Sequence, residues 1–117
     1  MTEILVTTFL SLDGVMQAPG APDEDPSGGF DQGGWLVPFA DEDMGRLVVD
    51  WIGRADGFLL GRKTYEIFST WWPRVTDPSD PVARALNTLP KYVASTTLDT
   101  VEWNNSCLLY TSDAADD

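Results

Sequence analysis

Histidine is absent from this chain of 117 residues, and cysteine occurs only once, as Cys107. Without histidine, the chain has neither an imidazole metal ligand nor a histidine acid or base. A single cysteine can form neither an internal disulfide nor a cysteine-cluster metal site. The sequence therefore predicts that this chain holds no metal ion.

Long hydrophobic runs are absent as well. No apolar stretch approaches the roughly 20 residues of a membrane-spanning helix, and residues Met1 to Ile4 lack the cationic start of a secretory signal. From these absences we expect a cytoplasmic protein without membrane contact. The length is that of one domain of ordinary size.

Cations are scarce and unevenly placed. Seven Lys and Arg residues stand against nineteen Asp and Glu residues, and this excess of negative charge disfavours a nucleic-acid partner. No cation precedes Arg46, whereas Arg62 and Lys63 are adjacent and follow Gly61 directly. A local positive spot in a negative field favours a site for a small anion.

The segment around Gly61 has the features of such a site. The unbroken apolar run Phe58–Leu60 predicts a strand buried on both faces, and helical spacing follows it. A helix that begins at Gly61 points unpaired N–H groups outward, where Arg62–Thr64 add charge and a hydroxyl for a phosphate. An ordinary strand-to-helix turn with solvated cations is the alternative.

Two better-known phosphate motifs do not fit these residues. The P-loop requires glycine directly before lysine, but Arg62 separates Gly61 from Lys63. The dinucleotide pattern G-x-G-x-x-G is absent too, so a nucleotide here would be held by another arrangement.

The first half of the chain is predicted as strand, loop and helix. The β-forming residues of Glu3–Leu10 predict a first strand, and Gln17–Gly34, rich in Pro and Gly, predicts a long lid or binding loop. Apolar residues at helical spacing then predict a helix over Asp41–Ala55.

The second half continues the alternation. We expect a helix over Lys63–Trp71, a short helix capped by Asp80 and reaching Asn87, and strands over Tyr92–Ala94 and Val101–Trp103. This order predicts an α/β fold with parallel neighbouring strands. Ligands of such sheets bind beyond the carboxyl ends of the strands, so Asp13, Gly61 to Thr64, and Ser95 with Thr96 should converge there.

Three stretches together resemble one family. They are Thr7–Val15 (T-T-F-L-S-L-D-G-V), Leu59–Glu66 (L-L-G-R-K-T-Y-E) and Leu89–Ser95 (L-P-K-Y-V-A-S). The chain resembles the dihydrofolate-reductase-like family, in particular the branch related to the reductase domain of the bifunctional riboflavin-biosynthesis protein. The resemblance implies a three-layer α/β fold with a mostly parallel central sheet, here without its C-terminal strands.

The resemblance also implies a cofactor, NADPH, with NADH left open because Thr96 stands where a basic residue is frequent in the family. Its phosphates would be held by Gly61, Arg62, Lys63 and Thr64 in the G-R-K-T turn. The adenosine 2′-phosphate would contact Ser95 and Thr96, at the end of the next strand.

Further roles follow from the same resemblance. Ser11, Asp13 and Gly14 would lie near the nicotinamide and the substrate. Asp13 would orient the substrate or relay a proton, or else serve only as a turn residue. Asp43 is a second candidate acid by analogy with the folate enzymes.

The implied reaction is hydride transfer from NADPH to a C=N or C=O carbon of a small pteridine, pyrimidine or sugar-like substrate, as in riboflavin biosynthesis. The alternative is a non-catalytic ligand-binding or dimerising domain on the same fold, inactive here through truncation. Residues 1–106 would form the N-terminal part of the domain, and 107–117 a non-native or disordered tail that resembles translated adaptor sequence. Missing strands would leave an open sheet edge, which favours a homodimer and weak dinucleotide binding.

Overall fold

The computed structural model describes residues 3–109. It contains two compact units, residues 1–42 and residues 43–117, and each is described by itself.

The first unit consists of turns and loops. Residues 3–10 form no strand, so the predicted first strand is wrong, and Ile4 and Val6 are 71% and 88% exposed. The physical reason is that β-propensity reflects the fit of a side chain to a sheet surface. The sheet of the described residues contains only three strands, all from the second half of the chain.

The predicted long loop is confirmed, and it is closed by its own hydrogen bonds. Gly34 N donates to Ala18 O at 2.8 Å, Trp35 Nε1 donates to Gln17 O at 2.8 Å, and Ala18 is buried. Two 3₁₀ turns, Ser27–Gly29 within the loop and Val37–Phe39 after it, are the only helical pieces among residues 3–41.

The second unit has the predicted alternation of helices and strands. In chain order the elements are α1 (Glu42–Gly53), β1 (Phe58–Gly61), α2 (Arg62–Trp71), a 3₁₀ turn (Trp72–Arg74), α3 (Pro81–Thr88), β2 (Lys91–Ala94) and β3 (Ser106–Leu109). The strands form one parallel sheet in the order β1-β2-β3. The α/β fold with parallel neighbours is therefore confirmed.

Local signals determine several of these boundaries. Asp80 caps α3 as predicted, with its carboxylate accepting from the N–H groups of Val82 and Ala83 at 3.0 and 3.1 Å. Pro81 follows at the first helical position, where its missing N–H costs nothing. Trp71 ends α2, and Pro73 lies in the 3₁₀ turn that follows.

One face of the sheet carries the core. Leu60 and Val93 pack with Tyr65 of α2, Leu86 of α3 and Trp103, all of them buried. This cluster removes apolar side chains from water and fixes both helices on that face.

The opposite face of the sheet is exposed. Leu59, Tyr92 and Cys107 are register partners in one row across the three strands, and Leu59 is 63% exposed. The prediction that β1 is buried on both faces is therefore wrong for the described residues. In α1, too, no residue is fully buried, and its apolar residues are half-buried or exposed.

The end of the described chain differs from expectation. Val101–Trp103 forms no strand, and the third strand is Ser106–Leu109 instead. Cys107 to Leu109 belong to this strand, and the assignment of residues 107–117 to a separate tail stays a prediction. The remainder of the predicted tail, 110–117, lies outside the described residues, and its non-native origin stays a prediction.

Candidate functional site

The predicted strand-to-helix junction at Gly61 is confirmed. Gly61 is both the last residue of β1 and the N-cap of α2, with extended backbone angles (φ −77°, ψ 170°). A Cβ built on Gly61 would meet no atom within 4 Å, so the corner above it is open. Among the described residues no side chain caps the first turn of α2.

The three residues after Gly61 differ in exposure. Lys63 and Thr64 are exposed, whereas the side chain of Arg62 is only 25% exposed. The Arg62 guanidinium forms an ion pair with Glu66 one turn along α2, with Nη1 lying 3.2 and 3.3 Å from the two carboxylate oxygens. The positive charge at this corner is therefore shared with a carboxylate of the same helix.

The second predicted cofactor segment lies beside the first. Gly61 is the register partner of Ala94, the last residue of β2, and Ser95 follows Ala94 directly. The two carboxyl ends of these strands therefore meet at one edge, as the parallel order predicted.

Ser95 and Thr96 differ in their exposure at this edge. Ser95 is fully buried, and its Oγ accepts from the N–H groups of Thr97 and Leu98 at 3.2 and 3.0 Å. It thus holds the turn that follows β2. Thr96 is exposed on that turn and is the residue of the two that a ligand can reach directly.

The connection from β2 to β3 is anchored by residues to which the sequence analysis assigned no role. Tyr65 Oη accepts from Trp103 N at 3.0 Å, and the Trp103 indole N–H donates to Asn87 Oδ1 at 3.0 Å. Asn87 Nδ2 donates in turn to Trp72 O at 2.9 Å, so both ends of its amide are used. The one sequence signal for this cluster was an amide residue at the end of an otherwise apolar helix face.

Lys91 belongs to the stretch that carried the family resemblance, yet its position is structural. Its side chain is fully buried, and Nζ donates to Leu86 O at 2.6 Å and to Leu89 O at 3.0 Å. Nζ also lies 4.4 Å from the centroid of the Trp103 ring. Burial lowers the pKa of the Lys91 ammonium.

A wide groove of about 930 Å³ opens elsewhere in the second unit, over Tyr65 and Trp103 and between α3 and the segment Val75–Pro78. Its charged lining groups are Asp77, Arg84 and Glu102. None of the predicted cofactor residues lines this groove. We assign the candidate site to the Gly61 corner, because that is where backbone amides, cations and an open approach coincide.

The predicted substrate residues lie in the first unit. Ser11 Oγ donates to Asp13 Oδ1 at 2.6 Å and accepts from Val15 N at 2.8 Å, and Gly14 has a φ of +91°. The Ser11 hydroxyl lowers the pKa of the exposed Asp13 carboxyl. Asp13 is thus a turn residue in this geometry, and its approach to the cofactor stays a prediction.

Asp43 lies in the first turn of α1, where a negative charge is favoured by the helix dipole. It is exposed and forms an ion pair with Arg46. The described contacts of Asp43 are those of a helix surface, and its role as an acid stays a prediction.

Comparison with known protein families agrees with the resemblance. The family model of the RibD C-terminal domain matches residues 2–116. The chain belongs to this family. No curated protein matches the sequence. Among residues 3–109, no helix has the length and hydropathy needed to span a bilayer.

Membership of the family confirms the family resemblance and the fold class that were predicted from the sequence. The match continues past Ser106 into the segment that the sequence analysis separated as a tail. The division of the chain at that residue stays a prediction, as does its cytoplasmic location.

Proposed function

We propose that this chain binds NADPH at the carboxyl edge of β1 and β2 and belongs to a reductase of the riboflavin-biosynthesis type. The observation that carries this proposal is the register of the sheet. Because Gly61 pairs with Ala94, the G-R-K-T turn and the turn after β2 lie side by side. Two segments about thirty positions apart in sequence thereby form one edge, as ligand sites of parallel sheets do.

The residues at this edge fit the phosphates of a dinucleotide. The open corner at Gly61 lets a phosphate approach the first amides of α2, and the positive end of the helix dipole favours it there. Arg62 and Lys63 add charge, Thr64 adds a hydroxyl, and the exposed Thr96 lies on the neighbouring turn after β2. Ser95 acts through the turn that its hydroxyl holds.

When bound, NADPH supplies the hydride, and the protein supplies binding and orientation. The lowered pKa of Asp13 keeps its carboxylate charged, which suits a hydrogen-bond acceptor for a substrate N–H or O–H better than a proton donor. A small pteridine, pyrimidine or sugar-like substrate carries such donors. NADH remains an alternative cofactor, because no cation follows Ser95.

Titration of NADPH, followed by tryptophan fluorescence, tests the cofactor assignment. Hydrogen bonds to charged groups contribute about 1.5–3 kcal/mol each. The double variant Arg62→Ala with Lys63→Ala should therefore weaken binding by at least about tenfold. Arg46→Ala with Arg54→Ala is the matched control, because it removes the same charge from α1, where both arginines pair with neighbouring acids. Equal losses in the two double variants would refute the phosphate site.

The reaction is tested by the absorbance of reduced nicotinamide, with candidate pyrimidine and pteridine substrates. At NADPH concentrations high enough to offset the weak binding expected above, we propose that NADPH is oxidised only when substrate is present and that this oxidation is lost in the double variant at the Gly61 corner. Oxidation that does not respond to this change would place the cofactor elsewhere.

One observation favours the alternative of a dimerising domain. The second face of the sheet exposes Leu59, Tyr92 and Cys107 in one row, and parallel sheets are usually covered on both faces. If a second copy covers this row, Leu59→Lys should lower the sedimentation coefficient and raise the reactivity of Cys107. A monomeric wild-type chain would remove this alternative.

A further inference from the structure

We infer that Glu66 controls the affinity of the phosphate site, because its carboxylate occupies the Arg62 guanidinium that a dinucleotide phosphate must use. This inference rests on the proposed function. It assigns a role to a residue that stands in the Leu59–Glu66 stretch but is not among the predicted site residues.

The geometry of the ion pair supports this role. Arg62 Nη1 lies 3.2 Å from one Glu66 oxygen and 3.3 Å from the other, so both carboxylate oxygens face the same nitrogen. The side chains are 25% and 49% exposed. The Arg54–Asp50 pair, at 66% and 54%, and the Arg46–Asp43 pair, at 69% and 80%, are more exposed. Since water screens charges, the Arg62–Glu66 attraction is the least screened of these three pairs.

The position of Glu66 along α2 makes its carboxylate a competitor of the phosphate for Arg62. The phosphate is expected at the first amides of α2, next to Gly61, whereas Glu66 lies one turn further along the helix. The carboxylate therefore draws Nη1 away from the open corner. To bind Arg62 Nη1, a phosphate must displace the Glu66 carboxylate from it. The negative charge of this nearby carboxylate also repels the phosphate.

Substitution of Glu66→Gln measures this competition by equilibrium binding of NADPH. Partly exposed ion pairs are weak, so we expect binding about two- to fivefold tighter at low ionic strength. The gain should shrink as salt is added, since salt screens both the pair and the repulsion.

The control is Asp50→Asn, which removes one negative charge and breaks an i,i+4 pair on α1. It should leave the affinity unchanged. Glu66→Asp provides a second variant: it keeps the charge but shortens the side chain by one methylene, so it should loosen Arg62 and give a smaller gain. Tighter binding by Asp50→Asn equal to that of Glu66→Gln would overturn the inference.

A double-mutant cycle separates the pair from general repulsion. In an Arg62→Ala background, Glu66→Gln should give no more than a small part of its gain. If the full gain persists without Arg62, or if Glu66→Gln weakens binding because the carboxylate orients Arg62, the inference is wrong.

These experiments distinguish a failure of the proposed function from a failure of the inference about Glu66. If the Arg62 and Lys63 substitutions do not weaken binding, the proposed function itself fails. If they do weaken binding but Glu66→Gln does not tighten it, only this inference fails.

Discussion

The ammonium of Lys91 lies 4.4 Å from the centre of the Trp103 ring, in a site where it also donates to two carbonyl oxygens at the end of α3. A cation is favoured both by the aromatic face and by the negative end of a helix. Lys91 thereby joins α3 to the connection between β2 and β3. That connection starts with the turn that carries Thr96.

We therefore expect Lys91→Met to destabilise the fold. Methionine keeps the apolar stem but leaves the carbonyl groups of Leu86 and Leu89 without these donors, at a cost of about 1–3 kcal/mol. Urea unfolding measures the loss. Arg84→Met is the control, because Arg84 is an exposed cation of α3 and its removal should change stability little. Equal stability of the two variants would contradict this expectation. It would show that the free-energy cost of burying the Lys91 charge offsets the gain from its contacts.

Asn87 is expected to be as important as Lys91 for the same connection. Its amide accepts from the Trp103 indole N–H and donates to Trp72 O, so Asn87→Ala leaves a half-buried donor and a carbonyl unpaired. We expect a loss of about 1–3 kcal/mol in the free energy of unfolding.

The control for Asn87 is Asn104→Ala. Asn104 is exposed and makes a single side-chain hydrogen bond, to Asn87 O, which water can replace. Its removal should cost much less. Equal losses in the two variants would show that the amide of Asn87 has no special part in the connection.

Much of the second unit could be predicted from the sequence because its signals are local. The apolar run before Gly61, Pro73 after α2, and Asp80-Pro81 before α3 each determine a boundary within a few residues. Parallel order then brought Gly61 and Ser95 to one edge. The ion pair of Arg62 with Glu66 was not predicted, although opposite charges at i and i+4 of a helix are a local signal for such a pair.

The errors arose where structure depends on distant partners. Residues 3–10 have strand-forming side chains, but a strand also needs a neighbour for its main-chain hydrogen bonds. Trp103 was expected in a strand, whereas its N–H bonds to Tyr65, 38 positions away in sequence, and its ring enters the core. The hydroxyl of Ser95 accepts from the N–H groups of Thr97 and Leu98, which the sequence did not indicate, and its role in cofactor binding stays a prediction.

The pKa of Asp13 provides a test of the first unit. The Ser11 hydroxyl lowers this pKa from its ordinary value, so the charged form is favoured in the folded state. The contribution of this contact to stability is present at neutral pH and is lost as the pH falls through the lowered pKa. NMR titration of the Asp13 carboxyl carbon should show a midpoint below that of an ordinary aspartate, and this midpoint should rise in Ser11→Ala. An unchanged midpoint in the variant would assign the shift to another cause.

Gly61→Ala should separate binding from folding. The φ of Gly61 is −77° and a Cβ there meets no atom within 4 Å, so alanine fits the backbone and we expect stability to change by less than about 0.5 kcal/mol. The same methyl group would project into the open corner where we place the phosphate. NADPH binding should therefore weaken severalfold while thermal unfolding stays the same.

Gly45→Ala is the control: Gly45 lies within α1, also with open space around it, so alanine should stabilise the helix and leave binding unaltered. If Gly61→Ala binds NADPH as well as the wild-type chain, the phosphate does not approach this corner closely.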